Sequence, residues 1–295
     1  MPNDALSLLA RLEAQFAGLE SVLVCYSGGV DSALVLAAAT RVLGDRAIGM
    51  TAVSPSLAPM ELEMAQKTAA AMGARHELVQ SAEIEKEGYQ ANGPDRCFHC
   101  KSELYDVSAR KQDEWALAAT MNGTNVDDLG DYRPGLEAAK NAGVLSPLVA
   151  ARFTKSDVRA LAEHLGVQVW DKPASACLAS RLPYGTRVTR ERLSRIAGFE
   201  AALRRGGFSE LRVRYHAMTE GATASAGATE GQTEQALARV ELGAREMARG
   251  LEHAADIVAW GKAAGFAYVT MDLGGYRRGS TNELLGDKRL PVVRS

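Results

Sequence analysis

Ser27-Gly28-Gly29-Val30-Asp31-Ser32 is the stretch that decides the fold. It follows an apolar run at residues 22–25 that predicts a short buried parallel strand. It precedes residues 33–39, whose alanines and leucines predict a helix. A strand, a glycine-rich turn and a helix start together make an anion site, because the first N–H groups of a helix lack intrahelical partners. The turn has no Walker lysine, so we expect a phosphate site of another kind.

Strands and helices continue to alternate after this turn. Residues 47–53 and 76–79 predict two further strands, and Pro59 begins a helix between them. Residues 115–122 and 144–148 are also predicted to be strands. This alternation is typical of βαβ units, so the sequence predicts an α/β fold with a doubly wound parallel sheet.

Polar turns are expected at the carboxyl ends of these strands, where such sheets bind their ligands. Ala52, near the end of the second strand, is expected on the adenine side of a nucleotide. Gly123 and Thr124 belong to a turn that suits sugar hydroxyls or Mg²⁺, and Arg133 suits a phosphate. From spacing alone, helix capping and a surface turn explain these residues equally well.

Length and composition place the chain among ordinary globular proteins. Its 295 residues are 46% hydrophobic and 24% charged, which allows two domains. We expect a first domain over residues 1–184 and a smaller C-terminal α/β domain over 185–295, with a flexible insertion at 217–235. A net charge of −2 disfavours a nucleic-acid partner. No apolar run is long enough to cross a membrane and no signal peptide is recognisable, so we expect a cytoplasmic protein.

The four cysteines fall into two groups. Cys25 lies in the first predicted strand and is expected to be a small buried hydrophobe. Cys97 and Cys100 form a Cys-x-x-Cys at a helix start, which suits a disulfide or a metal. In a reducing compartment, such cysteines are more often metal-binding or catalytic than structural.

A proline-bounded stretch of small residues at 172–186 contains Cys177, Ser180 and Arg181. Linkers rarely carry a free cysteine beside an arginine, so we favour an active-site loop over a linker here. Further along, strand alternation puts Arg212 and Arg214 on one face, where they form a candidate anion clamp. The alternative for this pair is a solvated strand face.

Taken together, these segments resemble the LarE family of ATP-dependent sulfur transferases, within the PP-loop ATP pyrophosphatase superfamily. The resemblance covers nearly the whole chain and rests on these stretches: 27–32, 96–101, 175–186, Arg212 with Arg214, 238–241 and 275–283. It implies that ATP adenylates a carboxylate of pyridinium-3,5-dicarboxylate mononucleotide, that sulfur then displaces AMP, and that the thiocarboxylate serves nickel-pincer nucleotide biosynthesis. It also implies that the chain forms a homo-oligomer. The small molecules that it is expected to bind are a nucleotide substrate and sulfide.

The resemblance further implies a role for each matching residue. Asp31 is expected near Mg²⁺, and Glu200 is a possible metal or substrate contact. The ATP phosphates are expected to be bound by Ser27, Gly28, Gly29, Val30, Asp31 and Ser32. The substrate phosphate or carboxylates are expected to be bound by Ser180, Arg181, Arg212 and Arg214.

The source of the sulfur depends on the cysteines. Members of the family with one cysteine in the loop at 175–186 give up that cysteine's own sulfur, whereas three-cysteine members hold a [4Fe–4S] cluster with a labile sulfide. Cys97, Cys100 and Cys177 would place this chain in the second group, with all three thiols beside the phosphate turn. The alternatives, in order, are a sacrificial cysteine and a zinc site with His99 or water as the fourth ligand. A Cys97–Cys100 redox pair is a further option.

Three other functions remain open from the sequence. A tRNA thiolase also combines such a turn with cysteines, although it predicts a basic face. An amide-forming synthetase, such as an NAD or GMP synthetase, needs no cysteine. A nucleotide-binding regulatory domain or iron–sulfur scaffold would bind ATP without splitting it.

Overall fold

The computed structural model describes residues 4–130, 134–173, 175–218 and 234–277. The chain divides into two compact units. The first comprises Met1–Glu83 with Cys97–Ser175, and the second comprises Ile84–Arg96 with Ala176–Ser295. The domain boundary that the sequence suggests after residue 184 stays a prediction.

A four-stranded parallel sheet forms the centre of the first unit, in the order β3-β2-β1-β4. Its strands are β1 (Val22–Cys25), β2 (Ala47–Val53), β3 (Arg75–Gln80) and β4 (Ala119–Met121). Val22 lies opposite Ala47 on one side and Ala119 on the other, so β1 is an inner strand. All four β1 residues are buried, which explains their unbroken apolar run. The predicted parallel α/β sheet is confirmed.

Both units contain helices. In chain order they are α1 (Ala5–Glu13), α2 (Val30–Leu43), α3 (Pro59–Ala71), α4 (Glu87–Gln90), α5 (Arg96–Glu114), α6 (Pro134–Asn141), α7 (Pro147–Ala150), α8 (Lys155–His164), α9 (Arg190–Arg205), α10 (Met247–Glu252) and α11 (Ala254–Ala263). None of the helices in the described ranges is long and apolar enough to cross a membrane.

Helix α2 is the most deeply buried helix of the first unit, and this burial holds the turn before it in place. Ten of its 14 residues are buried, among them Leu34 and Leu36. Each buried leucine side chain contributes about 1.5–3 kcal/mol of hydrophobic free energy. The same core takes in Leu12, Phe153 and Leu161. The alanine- and leucine-rich run after Ser32 is therefore a core helix, as predicted.

Two predicted strands of this unit differ from the structure. Helix α5 continues to Glu114, and Ala116 then turns with φ +50°, so β4 covers only Ala119–Met121. The strand predicted over 144–148 is wrong, because Leu145 makes only a single bridge to Met121 and Pro147 begins α7. Proline at the first helical position fixes a helical φ and lacks the N–H that a strand would donate.

The second unit contains a smaller mixed sheet in the order β5-β6-β7. Its strands are β5 (Leu211–Ala217), β6 (Ala236–Leu242) and β7 (Tyr268–Met271). The β5–β6 pair is antiparallel and sets Arg212 opposite Glu241, whereas β6 and β7 are parallel. Most of the insertion predicted at 217–235, namely residues 219–233, lies outside the described residues. The predicted smaller C-terminal α/β arrangement is confirmed.

Candidate functional site

The turn between β1 and α2 has the backbone of an anion site. Gly29 is the N-cap of α2, with φ −86° and ψ 158°, and no side chain caps the helix there. Gly28 has φ +71°, and a Cβ at this position would lie 2.8 Å from Cβ of Ala65. Glycine is therefore required at residue 28 for both its conformation and its close approach to α3. The N-terminal N–H groups of α2 and the positive end of its dipole favour an anion at this turn.

Two serines stiffen this turn from within. The Ser32 hydroxyl donates to the Gly29 carbonyl at 3.1 Å and accepts from the Ser27 N–H at 3.1 Å. The two serine Oγ atoms are also 3.1 Å apart. These contacts fix the turn before any ligand arrives, which lowers the cost of ordering it on binding.

The turn after β4 packs directly on the phosphate turn. A Cβ at Gly123 would lie 2.6 Å from the backbone N of Ser32 and 2.9 Å from the carbonyl C of Asp31. Thr124 is held next to it, because its N–H donates to Asn122 Oδ1 at 3.0 Å. The structure thus brings Gly123 and Thr124 to the start of α2.

Replacing Gly123 by alanine is expected to raise the Kd for ATP about tenfold. The new methyl group collides with the backbone at Ser32, and overpacking of this kind costs about 1–3 kcal/mol. Calorimetric titration with ATP measures the effect. Gly130→Ala is the matched control, because a Cβ at Gly130 meets nothing within 4 Å. Equal affinities for the two variants would contradict the prediction.

Asp31, predicted near Mg²⁺, is held between an amide and an ammonium group. Its Oδ1 accepts from Asn125 Nδ2 at 2.9 Å, and its Oδ2 pairs with Lys155 Nζ at 2.5 Å. The Asp31 side chain is one-quarter exposed, so a cation can reach it from solvent. The carboxylate is therefore placed at the mouth of the phosphate turn with a positive charge already beside it.

Lys172 contacts the same turn from its other side. Its Nζ donates to the Gly28 carbonyl at 3.1 Å and pairs with Glu61 Oε2 at 2.7 Å. Sequence reasoning missed both lysines, because these contacts join residues 124 and 144 positions apart. The only local signal was that Lys172 begins the proline-bounded stretch.

The carboxyl end of β2 contains Ala52, the residue predicted on the adenine side. Next to it, the Thr51 hydroxyl donates to the Tyr26 carbonyl at 2.7 Å and lies 2.8 Å from His76 Nε2. Burial lowers the pKa of His76 and raises the pKa of Tyr26 to about 12, so both side chains are neutral near pH 7. The end of this strand is thus held by neutral contacts. Arg133 lies outside the described residues.

The cysteines of the first unit occupy two different environments. Cys25 is buried with its Sγ 3.3 Å from Ser108 Oγ, and burial raises its pKa, as expected of a core thiol. Cys97 and Cys100 lie on the first turn of α5, where Cys97 is exposed and Cys100 is half-buried. Neither is in a disulfide, and they lie three residues apart on one helical face, so they can serve as a pair of ligands or as a redox pair.

Cys177 belongs to the second unit and is exposed. It precedes a short 3₁₀ turn, Leu178–Arg181, whose Ser180 N–H donates to the Cys177 carbonyl at 3.0 Å. Across the described ranges, no three or more His, Cys, Asp and Glu side chains are gathered closely enough to hold a metal.

Arg181 holds the backbone of this cysteine turn. Its guanidinium donates to the Ala176 carbonyl at 2.6 Å and to the Cys177 carbonyl at 3.2 Å. It also pairs with Glu200 at 2.9 and 3.3 Å, and Glu200 accepts from the Val213 N–H at 3.1 Å. Burial lowers the pKa of Arg181, but the Glu200 carboxylate outweighs this and keeps that pKa above its ordinary value. Two predicted substrate residues, Arg181 and Glu200, are thus bound to each other.

Arg214 and Arg212 differ in their partners, although both lie on β5. Arg214 makes a two-pronged pair with the fully buried Glu241, at 3.0 and 3.1 Å, and donates to the Ser180 carbonyl at 2.8 Å. Arg212 stacks on the ring of Tyr276 at 4.8 Å. No carboxylate of the described residues is in ion-pair contact with Arg212.

Arg212 is buried beside two other guanidinium groups. It is 9% exposed, and its pKa is lowered chiefly by burial and further by Arg181 and Arg214, whereas Tyr276 and Glu241 act in the opposite direction. An anion beside Arg212 would relieve this repulsion, so the second unit has a positive site within reach of the cysteine turn.

One family model and several known proteins are similar to this chain. A family model described as asparagine synthase matches residues 7–90, which include the phosphate turn. An uncharacterized protein of Synechocystis is 42% identical over 281 residues, covering 95% of this chain and 98% of the relative. An uncharacterized protein of Methanocaldococcus jannaschii is 26% identical over 195 residues, covering 66% and 74%.

A further relative is named for its product. Pyridinium-3,5-bisthiocarboxylic acid mononucleotide synthase of Lactiplantibacillus plantarum is 35% identical over 286 residues, covering 95% of this chain and 96% of the relative. Identity at that level over nearly the full length of both chains, together with the glycine turn at the start of α2, shows the family. This chain is a member of the LarE family of ATP-dependent PP-loop sulfur transferases.

Proposed function

We propose that this enzyme replaces a carboxylate oxygen of pyridinium-3,5-dicarboxylate mononucleotide by sulfur, with ATP as the activating substrate. The observation that carries the proposal is the near-full-length similarity to the synthase named for the bisthiocarboxylic acid product. The phosphate turn and the positive site around Arg212 supply the two kinds of anion binding that this reaction needs.

Activation of the acid is the first step. A substrate carboxylate oxygen attacks the α-phosphorus of ATP, the bond from that phosphorus to the bridging oxygen breaks, and pyrophosphate leaves. The phosphates would bind to the N–H groups of Val30, Asp31 and Ser32 at the start of α2. Asp31 would hold Mg²⁺, which neutralises charge on the phosphates.

Sulfur transfer is the second step. A sulfur nucleophile adds to the activated carbonyl carbon, the carbon–oxygen bond to AMP breaks, and AMP leaves with the bonding pair. The thiocarboxylate is the product. Only a deprotonated sulfur is an effective nucleophile for this addition.

The substrate is held by the second unit in this proposal. Arg212 stacks on Tyr276, and no carboxylate of the described residues is in ion-pair contact with it, so it would bind the phosphate or a carboxylate of the substrate. Arg214 and Arg181 bind Glu241 and Glu200, respectively, and position the turn that contains Ser180. Glu200 then acts through Arg181 rather than on a metal.

We further propose that Cys97, Cys100 and Cys177 hold a [4Fe–4S] cluster in the active enzyme. Three cysteines outside disulfides match the donor set that leaves one iron open, and two of them are presented by one helical turn. Such a cluster supplies an exchangeable sulfide when it is bound. Because the described residues do not gather three metal donors, this proposal rests on the cysteine count and on the resemblance.

The cluster proposal predicts that protein purified without oxygen contains iron and acid-labile sulfide. Cys97→Ala is expected to lose most of both, whereas Cys25→Ala keeps them, because Cys25 is a core thiol bonded to Ser108. Chemical analysis of iron and sulfide with the visible spectrum measures the result. A Cys97→Ala variant that keeps iron, sulfide and repeated turnover would overturn the proposal. Loss of one sulfur per chain without any bound metal would indicate a sacrificial cysteine, and bound zinc would indicate a zinc site.

The activation step has its own test. Wild-type enzyme with Mg²⁺ and ATP is expected to form AMP and pyrophosphate in equal amounts, and only when the dicarboxylate mononucleotide is present. Product formation with tRNA or with ammonia in place of this acid would indicate a tRNA thiolase or an amide-forming synthetase. The homo-oligomer that the resemblance implies is tested separately by light scattering.

A further inference from the structure

The phosphate turn would bind the triphosphate of ATP, yet it contains no lysine. Walker loops place a lysine within the turn to reach the outer phosphates of the nucleotide, and residues 27–32 contain none. Backbone N–H groups and one Mg²⁺ leave part of the triphosphate charge without a fixed counter-charge. That charge increases on the leaving pyrophosphate as the bond to the α-phosphorus breaks, so cations at its position would favour the reaction.

Lys172 is the more deeply placed of two candidate cations. Its side chain is 13% exposed, and its Nζ lies 3.1 Å from the carbonyl oxygen of Gly28, within the turn itself. Its counter-ion, Glu61, lies in the first turn of α3 and is also largely buried. Glu61 offsets the cost of removing this ammonium group from water while the turn holds no nucleotide.

Lys155 is the second candidate, and it reaches the turn at Asp31. It is the first residue of α8, and a capping box of Thr154 and Asp157 fixes that helix start. The Lys155 N–H also donates to Asp127 Oδ2 at 2.7 Å, so the backbone of Lys155 is fixed by Asp127 as well as by the capping box. The ammonium group is therefore presented to the turn by a rigid element.

We propose that Lys155 and Lys172 bind the two outer phosphates of ATP and retain them as the leaving pyrophosphate. Asp31 and Glu61 hold the two ammonium groups beside the turn in the absence of nucleotide. The triphosphate then replaces these carboxylates as the principal counter-ion. This proposal rests on the proposed function only in taking ATP as the ligand, and it does not depend on the acid or on the sulfur source.

The test measures binding of three ligands to the full-length protein in the presence of Mg²⁺: ATP, inorganic pyrophosphate and AMP. Lys155→Met and Lys172→Met are each expected to weaken ATP and pyrophosphate binding about tenfold or more. AMP binding should stay within about twofold of wild type, because AMP lacks the outer phosphates. Lys67→Met is the matched control, since Lys67 is exposed and pairs with the exposed Glu63 on its own helix.

A second variant keeps the proposal testable if a methionine variant fails to fold. Glu61→Gln removes the competing carboxylate of Lys172 and is expected to tighten pyrophosphate binding severalfold, without tightening AMP binding. Unchanged pyrophosphate affinity in folded Lys155→Met and Lys172→Met, or an equal loss for AMP and pyrophosphate, would overturn the proposal. Weaker pyrophosphate binding in Glu61→Gln would also overturn the proposal, because it would mean that Glu61 does not compete with pyrophosphate for Lys172. Wild-type protein that binds ATP but makes no thiocarboxylate would refute the proposed function and leave this inference standing.

Discussion

The Cys177→Ala variant is expected to form thiocarboxylate at less than about a thousandth of the wild-type rate. Cys177 is the exposed thiol of a turn whose backbone is held by Arg181. It is required whether the sulfur comes from a cluster that Cys177 helps to hold or from Cys177 itself. Its loss removes the sulfur nucleophile in either case, and losses of this kind commonly remove three or more orders of magnitude of rate. Quantitative mass spectrometry of the product measures the loss.

The same variant should keep its ATP chemistry. The phosphate turn belongs to the first unit and Cys177 to the second, so pyrophosphate release in the first turnover is expected to continue. Cys25→Ala serves as the control, because it removes a different thiol, which is buried beside Ser108. An active Cys177→Ala enzyme would mean that sulfur reaches the substrate without this residue.

Arg181→Met is expected to lower the free energy of unfolding by about 3–5 kcal/mol. The substitution leaves Glu200, whose side chain is 6% exposed, with the Val213 N–H but without its counter-ion. Breaking a buried pair from one side costs more than the pair itself contributes, because the remaining charge stays desolvated. Urea denaturation followed by circular dichroism measures the change.

A double variant separates stability from function at this pair. Arg181→Met with Glu200→Leu replaces both charges by apolar side chains and is expected to recover most of the lost stability. It should remain poor at sulfur transfer, because the carbonyls of Ala176 and Cys177 still lack the guanidinium that holds them. Full activity in this variant would show that Arg181 serves the fold alone.

The phosphate turn was predictable because its signal is local. Glycines at 28 and 29, an apolar run before them and an alanine-rich run after them lie within about twenty residues, and each has a separate physical meaning. Strand prediction failed at residues 144–148 for a reason that was also visible, since Pro147 favours a helix start. The apolar run alone predicts a strand there, but the proline decides the local structure.

The candidate site was less predictable because sequence identifies charged residues without their partners. Arg181, Glu200 and Arg214 were predicted as substrate contacts, yet the structure commits each of them to a buried ion pair. Lys155 and Lys172 were missed for the opposite reason, since only folding brings them to Asp31 and Gly28. Arg214 pairs with Glu241, whereas Arg212 lies opposite Glu241 in the ladder yet stacks on Tyr276, and periodicity alone does not reveal this difference.

The most direct measurement is the mass of the product that wild-type enzyme makes from the dicarboxylate mononucleotide, Mg²⁺, ATP and labelled sulfide under anaerobic conditions. The account predicts that one carboxylate oxygen is replaced by one sulfur, with one AMP formed for each replacement. AMP formation with an unchanged acid, or sulfur insertion without ATP, would contradict it.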